Sequence, residues 1–105
     1  MTTNGWIDVA SLDTISKGDA LVVELSDRKI AVVHVADGRC FAIDAVCSHG
    51  RALLSDGFVD GLEIECPKHN GRFNLETGEA VASPAREALG TYPCRIRDGR
   101  VEVAP

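Results

Sequence analysis

The sequence predicts an all-β chain folded as a small antiparallel sandwich or barrel, and three observations carry that prediction. Short apolar runs are interrupted every few residues by Gly, Asp or Asn, the rhythm of strands joined by turns. Asp-Gly pairs stand between such runs at Asp37-Gly38, Asp60-Gly61 and Asp98-Gly99, and Asp-Gly is a strong hairpin signal. Leu62-Glu63-Ile64-Glu65 alternates apolar with acidic, as a strand with one buried face does.

In chain order, Trp6 to Val9 reads as a first strand and Ala20 to Leu25 as a second. Ser26-Asp27-Arg28 turns the chain, Lys29 to Val35 runs back, and Cys40 to Val46 follows the Asp37-Gly38 turn. Glu76-Thr77-Gly78-Glu79 is a further turn. Cys94 to Arg97 and Val101 to Val103 form the last hairpin around Asp98-Gly99. A short helical turn is expected between Ser11 and Lys17. Many short strands at this spacing point to a sandwich or barrel. With 105 residues, the expectation is one domain over residues 1–105 with one core.

Composition narrows the function. The hydrophobic fraction of 45% excludes disorder by composition, and with 5% aromatic residues Val, Ile, Leu and Ala must fill most of the interior. The formal net charge is −5, with Lys and Arg scattered, which argues against nucleic acid as a partner because phosphates need clustered cations. An acidic surface suits a protein partner with a basic patch. No apolar run approaches the ~18–20 residues of a membrane helix, and Met1 to Trp6 has neither the basic nor the apolar region of a secretion signal. The expected location is the cytoplasm, without membrane contact. There, four cysteines point to a metal site or buried thiols before disulfides.

Two segments break the β rhythm: Cys47-Ser48-His49-Gly50-Arg51 and Cys66-Pro67-Lys68-His69-Asn70-Gly71. Each begins where a strand ends and has Gly close by, so each reads as a loop at a strand tip. Sixteen residues separate His49 from Cys66, and the Asp60-Gly61 turn between them brings the loops side by side. Two thiolates and two imidazoles then converge. That donor set suits either zinc or an iron–sulfur cluster. Each loop mixes one Cys with one His, which fits a two-iron cluster with cysteines on one iron and histidines on the other; a structural Cys₂His₂ zinc site is the alternative.

Cys-x-His, sixteen residues, then Cys-x-x-His, with Cys66-Pro67-Lys68-His69-Asn70-Gly71-Arg72-Phe73 around the second box, resembles the Rieske signature. Along nearly the whole chain the sequence is similar to ferredoxin components of bacterial aromatic-ring-hydroxylating dioxygenases. The resemblance implies a Rieske fold with a cluster-binding subdomain inserted at about residues 45 to 75 and one [2Fe–2S] cluster. It implies Cys47 and Cys66 on the inner iron and His49 and His69 on the outer, redox-active one. It also implies no catalysis by the chain alone, but one-electron transfer from an NAD(P)H-dependent flavoprotein reductase to a terminal ring-hydroxylating oxygenase, with the carrier acting as a monomer.

Respiratory relatives carry a cysteine pair where Ala52 and Lys68 stand here, and Ser and Tyr hydroxyls where Gly71 and Phe73 stand. Hydrogen bonds to cluster sulfurs raise the potential, so their absence predicts the low end of the Rieske range, roughly −150 mV. After the four ligands only His34 remains, too few histidines for the 2-His-1-carboxylate site of an oxygenase. The chain also lacks the glycine fingerprint of a nucleotide-binding reductase. His34 reads as an ordinary strand histidine, and Cys40 and Cys94 as buried thiols. By resemblance Pro84 belongs to a loop that shields the cluster. Leu53 and Leu54 are either contacts of the site or plain core, and Arg51 and Lys68 are either partner contacts or solvated charge. The rival functions are a Rieske ferredoxin of another oxidoreductase (a monooxygenase, or a nitrite-reductase small subunit) and a structural zinc module.

Overall fold

A computed structural model describes residues 2–3, 5–25, 28–46, 53–67, 71–82 and 88–104. The described residues form twelve strands in three four-stranded antiparallel sheets. The first sheet joins the two ends of the chain in the order β1 (Thr2–Thr3), β2 (Trp6–Ser11), β12 (Arg100–Val103), β11 (Cys94–Arg97). The second has the order β10 (Thr91–Tyr92), β5 (Cys40–Asp44), β4 (Arg28–His34), β3 (Ala20–Leu25). The third runs β6 (Phe58–Asp60), β7 (Glu63–Glu65), β8 (Arg72–Asn74), β9 (Ala80–Ala82).

The second sheet is the middle layer, and β4 shows why. Ile30, Ala31, Val32, Val33 and His34 are all buried in succession. Neighbouring side chains on a strand point to opposite faces, so both faces must be covered. Ile30 and Val32 pack with Ile15, Cys40, Ala42, Val101 and Val103, against the first sheet. Ala31, Val33 and Val35 pack with Leu54, Ile64, Cys66, Phe73 and Leu75, against the third. The unbroken apolar run of this strand is the sequence mark of two-sided burial.

The turns follow from their residues. Arg97 pairs with Arg100, and the two residues between, Asp98 and Gly99, have φ of 52° and 76°, as a type I′ hairpin turn requires. Asp60 pairs with Glu63 around Gly61-Leu62. Asp37-Gly38 forms a longer loop, closed by Val35 N–H donating to the Arg39 carbonyl, with the Asp37 carboxylate accepting from Arg39 N–H. In the turn after β8, Asn74 Oδ1 accepts from the backbone of both Glu76 and Thr77.

The structure trims several expectations. The helical turn between Ser11 and Lys17 is a 3-10 helix over Leu12–Thr14; it ends because Ile15 returns to extended backbone and is itself buried. The strand expected to reach Val46 stops at Asp44, since Val46 pairs with Leu53 outside the sheet. The third sheet continues past residue 75 through β9. Ser26 and Asp27 of the expected turn lie outside the described residues, and Arg28 already belongs to β4.

Candidate metal centre

Of the four residues expected to bind metal, Cys66 is described, while Cys47, His49 and His69 lie outside the described residues, as do Arg51, Ala52, Lys68 and Pro84. Cys66 follows β7 directly, is fully buried, and is not in a disulfide. Its backbone N–H donates to the Gly71 carbonyl at 2.7 Å, closing the second loop at its base. The first loop is closed the same way: Val46 and Leu53 form an isolated antiparallel bridge, and Leu54 N–H donates to the Ala45 carbonyl at 2.7 Å.

The bases of the two loops are held against each other by the intervening chain. Leu54–Asp56 is a 3-10 helix, and Gly57 N–H closes it on the Leu54 carbonyl. Phe58 then pairs with Glu65, the residue before Cys66. Gly57 makes the approach feasible: a Cβ there would lie 2.0 Å from the Glu65 carbonyl oxygen. Its φ of −89° is open to any residue, so the requirement for glycine is purely steric. Below the loops, Leu54, Ile64, Phe73 and Cys66 share one core cluster with Leu53 packed against it. Both leucines are therefore core and lie beside the site.

A second clamp holds the segment before β10. Asp44, the last residue of β5, accepts from Gly90 N–H through Oδ2 at 2.8 Å and from the Tyr92 hydroxyl through Oδ1. Its own N–H donates to the Gly90 carbonyl. Burial, then the Asp44 carboxylate, pushes the Tyr92 phenol above its ordinary value. Gly78 fixes the same segment, because Leu89 N–H donates to its carbonyl and a Cβ on it would lie 2.2 Å from the Leu89 oxygen.

The remaining chemistry-bearing residues are accounted for locally. His34 is buried, with Nδ1 2.7 Å from the Ile15 carbonyl, so a neutral ring carries its proton on that nitrogen. Burial pushes the Cys40 thiol up to about 11. It pushes the half-buried Cys94 thiol up to about 12, with the nearby Cys40 adding to the effect. Both are neutral thiols at pH 7. Among the described residues, no trio of His, Cys, Asp or Glu is arranged to hold a metal ion away from the two loops. Nor is any helix there long and apolar enough to cross a membrane. Gly71 is buried and Phe73 is fully buried, and neither presents a hydroxyl.

Residues 5–93, which include the buried thiol and both loop bases, match the family model described as the Rieske [2Fe-2S] domain. The chain belongs to the Rieske [2Fe–2S] family. Its cofactor is a Rieske-type [2Fe–2S] cluster. The residues present fit such a group: Cys66 offers a soft donor shielded from water, in a loop with His69 three residues on. The chain is 46% identical to the ferredoxin component of the naphthalene 1,2-dioxygenase/salicylate 5-hydroxylase systems of a Ralstonia species, over 94% of each chain. Its fold matches the ferredoxin of carbazole 1,9a-dioxygenase from Nocardioides aromaticivorans with a TM-score of 0.88 and 33% identity, covering 95% of this chain and 97% of that one. A solved complex of reduced oxygenase and oxidized ferredoxin in carbazole 1,9a-dioxygenase contains a chain matched at TM-score 0.87 and 35% identity, covering 97% of this chain and 94% of that one. The Rieske fold expected from the sequence is the one found.

Three features of the site were not anticipated from the sequence: Gly57, the Asp44 clamp, and a group of carboxylates around Arg72. Arg72 lies within 3.1 Å of Glu65, 3.3 Å of Asp60 and 3.4 Å of Glu63. The register of β6, β7 and β8 gathers these residues, and no local sequence signal marks them.

Proposed function

We propose that this Rieske protein is a one-electron carrier between an NAD(P)H-dependent flavoprotein reductase and a terminal ring-hydroxylating oxygenase, working as a cytoplasmic monomer. Cys47 and Cys66 hold one iron of the cluster and His49 and His69 the other. When bound, the cluster supplies a single reversible electron, and two neutral imidazoles leave it less negative than four thiolates do. The closures at Val46–Leu53 and Cys66–Gly71 support this reading, since they bracket the two boxes. The observation that carries the reading is the buried, unbridged Cys66 at the head of a closed loop. With Gly71 and Phe73 lacking hydroxyls, the potential belongs at the low end of the family range, roughly −150 mV, where a nicotinamide-linked reductase can reduce it.

The test is electron paramagnetic resonance of the dithionite-reduced protein, with iron and sulfide analysis. A rhombic spectrum with the low average g-value of histidine-ligated clusters supports the reading. A colourless protein with stoichiometric zinc, and no iron after anaerobic reconstitution, replaces it with a structural metal module. The ligand assignment has its own test. His49→Cys or His69→Cys lowers the potential, because a charged thiolate replaces a neutral ring; an unchanged potential in a cluster-loaded variant refutes it.

A further inference from the structure

Three of the four large hydrophobic side chains most exposed among the described residues gather toward the cluster end of the molecule. Phe58 is 67% exposed, Val81 46% and Val46 40%. Val46 precedes Cys47, and Phe58 pairs in register with Glu65, which precedes Cys66. The fourth, Ile96, lines a cleft with Arg39 and Glu76, at the other ends of β5 and β8 from the cluster loops.

Phe58 and Val81 share one surface. Val59, Ile64, Phe73 and Ala80 point inward and pack in the core. Their strand neighbours therefore face outward: Phe58 and Asp60 on β6, Glu63 and Glu65 on β7, and Arg72 and Asn74 on β8; Val81, at an irregularity in the β8–β9 pairing, is placed outward by its exposure. Phe58 stands on one edge strand and Val81 on the other. Between them lies Arg72 among three carboxylates. This face has two negative charges in excess and an aromatic ring that solvates poorly. Such a ring, rimmed by charge, is the composition of a contact surface with an anchor residue.

We infer that the outer face of the third sheet is a docking surface for the terminal oxygenase, with Phe58 entering an apolar recess and Asp60, Glu63 and Glu65 meeting a rim of Lys and Arg. The inference rests on the carrier reading above, and a chain of the same fold is seen in complex with an oxygenase. The partner is specified by complementarity. The net charge of the chain is −5 and this face shares its sign, so the partner's surface must be basic to bring the two together. A carrier must also dock close to its cluster, and Phe58 lies beside the strand that leads into Cys66.

The experiment mixes the dithionite-reduced holoprotein with the purified oxygenase component of the Ralstonia naphthalene/salicylate system and follows reoxidation in the visible by stopped flow. Phe58→Ala slows the second-order rate about tenfold, as the loss of a buried anchor weakens the encounter complex. Ile96→Ala, at the other end of the strands, leaves the rate unchanged. Added salt slows the unaltered protein, and Asp60→Asn with Glu63→Gln flattens that dependence. A Phe58→Ala protein that reoxidises at the full rate overturns the inference, as does equal slowing by Ile96→Ala. Slower reduction by a flavoprotein reductase with unchanged reoxidation moves the face to the other partner and also overturns it. So does a dimer in sedimentation that Phe58→Ala dissociates. Should Phe58→Ala fail to hold its cluster, an unchanged salt slope in the double carboxylate variant refutes the inference alone. An unaltered protein that is loaded and reduced yet passes no electron refutes the carrier reading beneath it.

Discussion

Gly57→Ala tests whether the bases of the two loops that carry the Cys/His boxes must touch. A Cβ at residue 57 would lie 2.0 Å from the Glu65 carbonyl oxygen, 3.1 Å from its carbon and 3.2 Å from the Leu54 oxygen. Real contacts of this kind do not fall below 3.0 Å, so the backbone must open by about 1 Å. Every atom that blocks is backbone, and no side-chain rotation relieves the clash. One side of the opening is the chain following the first loop; the other is the residue before Cys66. Overpacking of this kind costs about 1–3 kcal/mol, which lowers the melting midpoint by about 5–20 °C for a domain this size. Displacement of one loop by about 1 Å is also enough to spoil ligand geometry. The expected result is a protein that folds but loses most of its iron and sulfide. Gly61→Ala is the comparison: it meets open space but requires a φ of +59°, so it costs about 1 kcal/mol in strain and leaves iron content unchanged. A Gly57→Ala protein with full iron and an unaltered visible spectrum would refute the argument, and so would equal iron loss from Gly61→Ala.

The Asp44 clamp predicts that Asp44→Ala, which removes an acceptor shared by two donors, destabilises by about 2–4 kcal/mol in urea unfolding. Combining it with Tyr92→Phe should cost less than the sum of the two single changes; strict additivity would sever the link. His34→Ala leaves the Ile15 carbonyl without its donor and opens a cavity in the core, a loss of at least about 1–3 kcal/mol by the same titration. At high pH the buried thiols draw stability down. Burial raises Cys40 from 9.0 to about 11 and Cys94 from 9.0 to about 12, so the unfolded chain deprotonates first. Their contribution is complete below pH 9 and is lost as pH rises from 9 to 12, seen as a falling melting midpoint that Cys40→Ala and Cys94→Ala diminish. At low pH the sign reverses. The hydrogen bond from Arg100 holds Asp8, and those from Arg39 hold Asp37, below the ordinary 3.8. The stability they give is present above that value and fades as pH falls beneath it.

The parts of this molecule that were legible in the sequence are those written in local chemistry. Asp98-Gly99 announces its hairpin because both residues take positive φ, and the two Cys/His boxes announce a metal because few other needs place those donors so close. Phe58–Asp60, Arg72–Asn74, Ala80–Ala82 and Thr91–Tyr92 were illegible as strands because two or three residues are too few to show a period. The continuous apolar run of β4 is that of a strand covered on both faces, but nothing in it names the elements that cover it. Gly57 and Asp44 could not be singled out either. What makes them matter is an approach to Glu65 in one case and to Gly90, 46 residues away, in the other, and such long-range pairs leave no mark at either position alone.

The three-layer arrangement explains why so small a chain can hold the bases of its two Cys/His loops in place. Strands hold a site more firmly than loops do, and here each loop is brief and rooted in a strand whose inner face is core. The first is rooted at the end of β5, in the sheet buried on both sides; the second joins β7 to β8, whose inward residues Ile64 and Phe73 are fully buried. Burying such side chains is worth about 1.5–3 kcal/mol each. A movement of either root would expose them, so the core that folds the chain also holds the bases of the two loops in place. The outer face of the third sheet, with Phe58 and the carboxylates around Arg72, bears none of that burden.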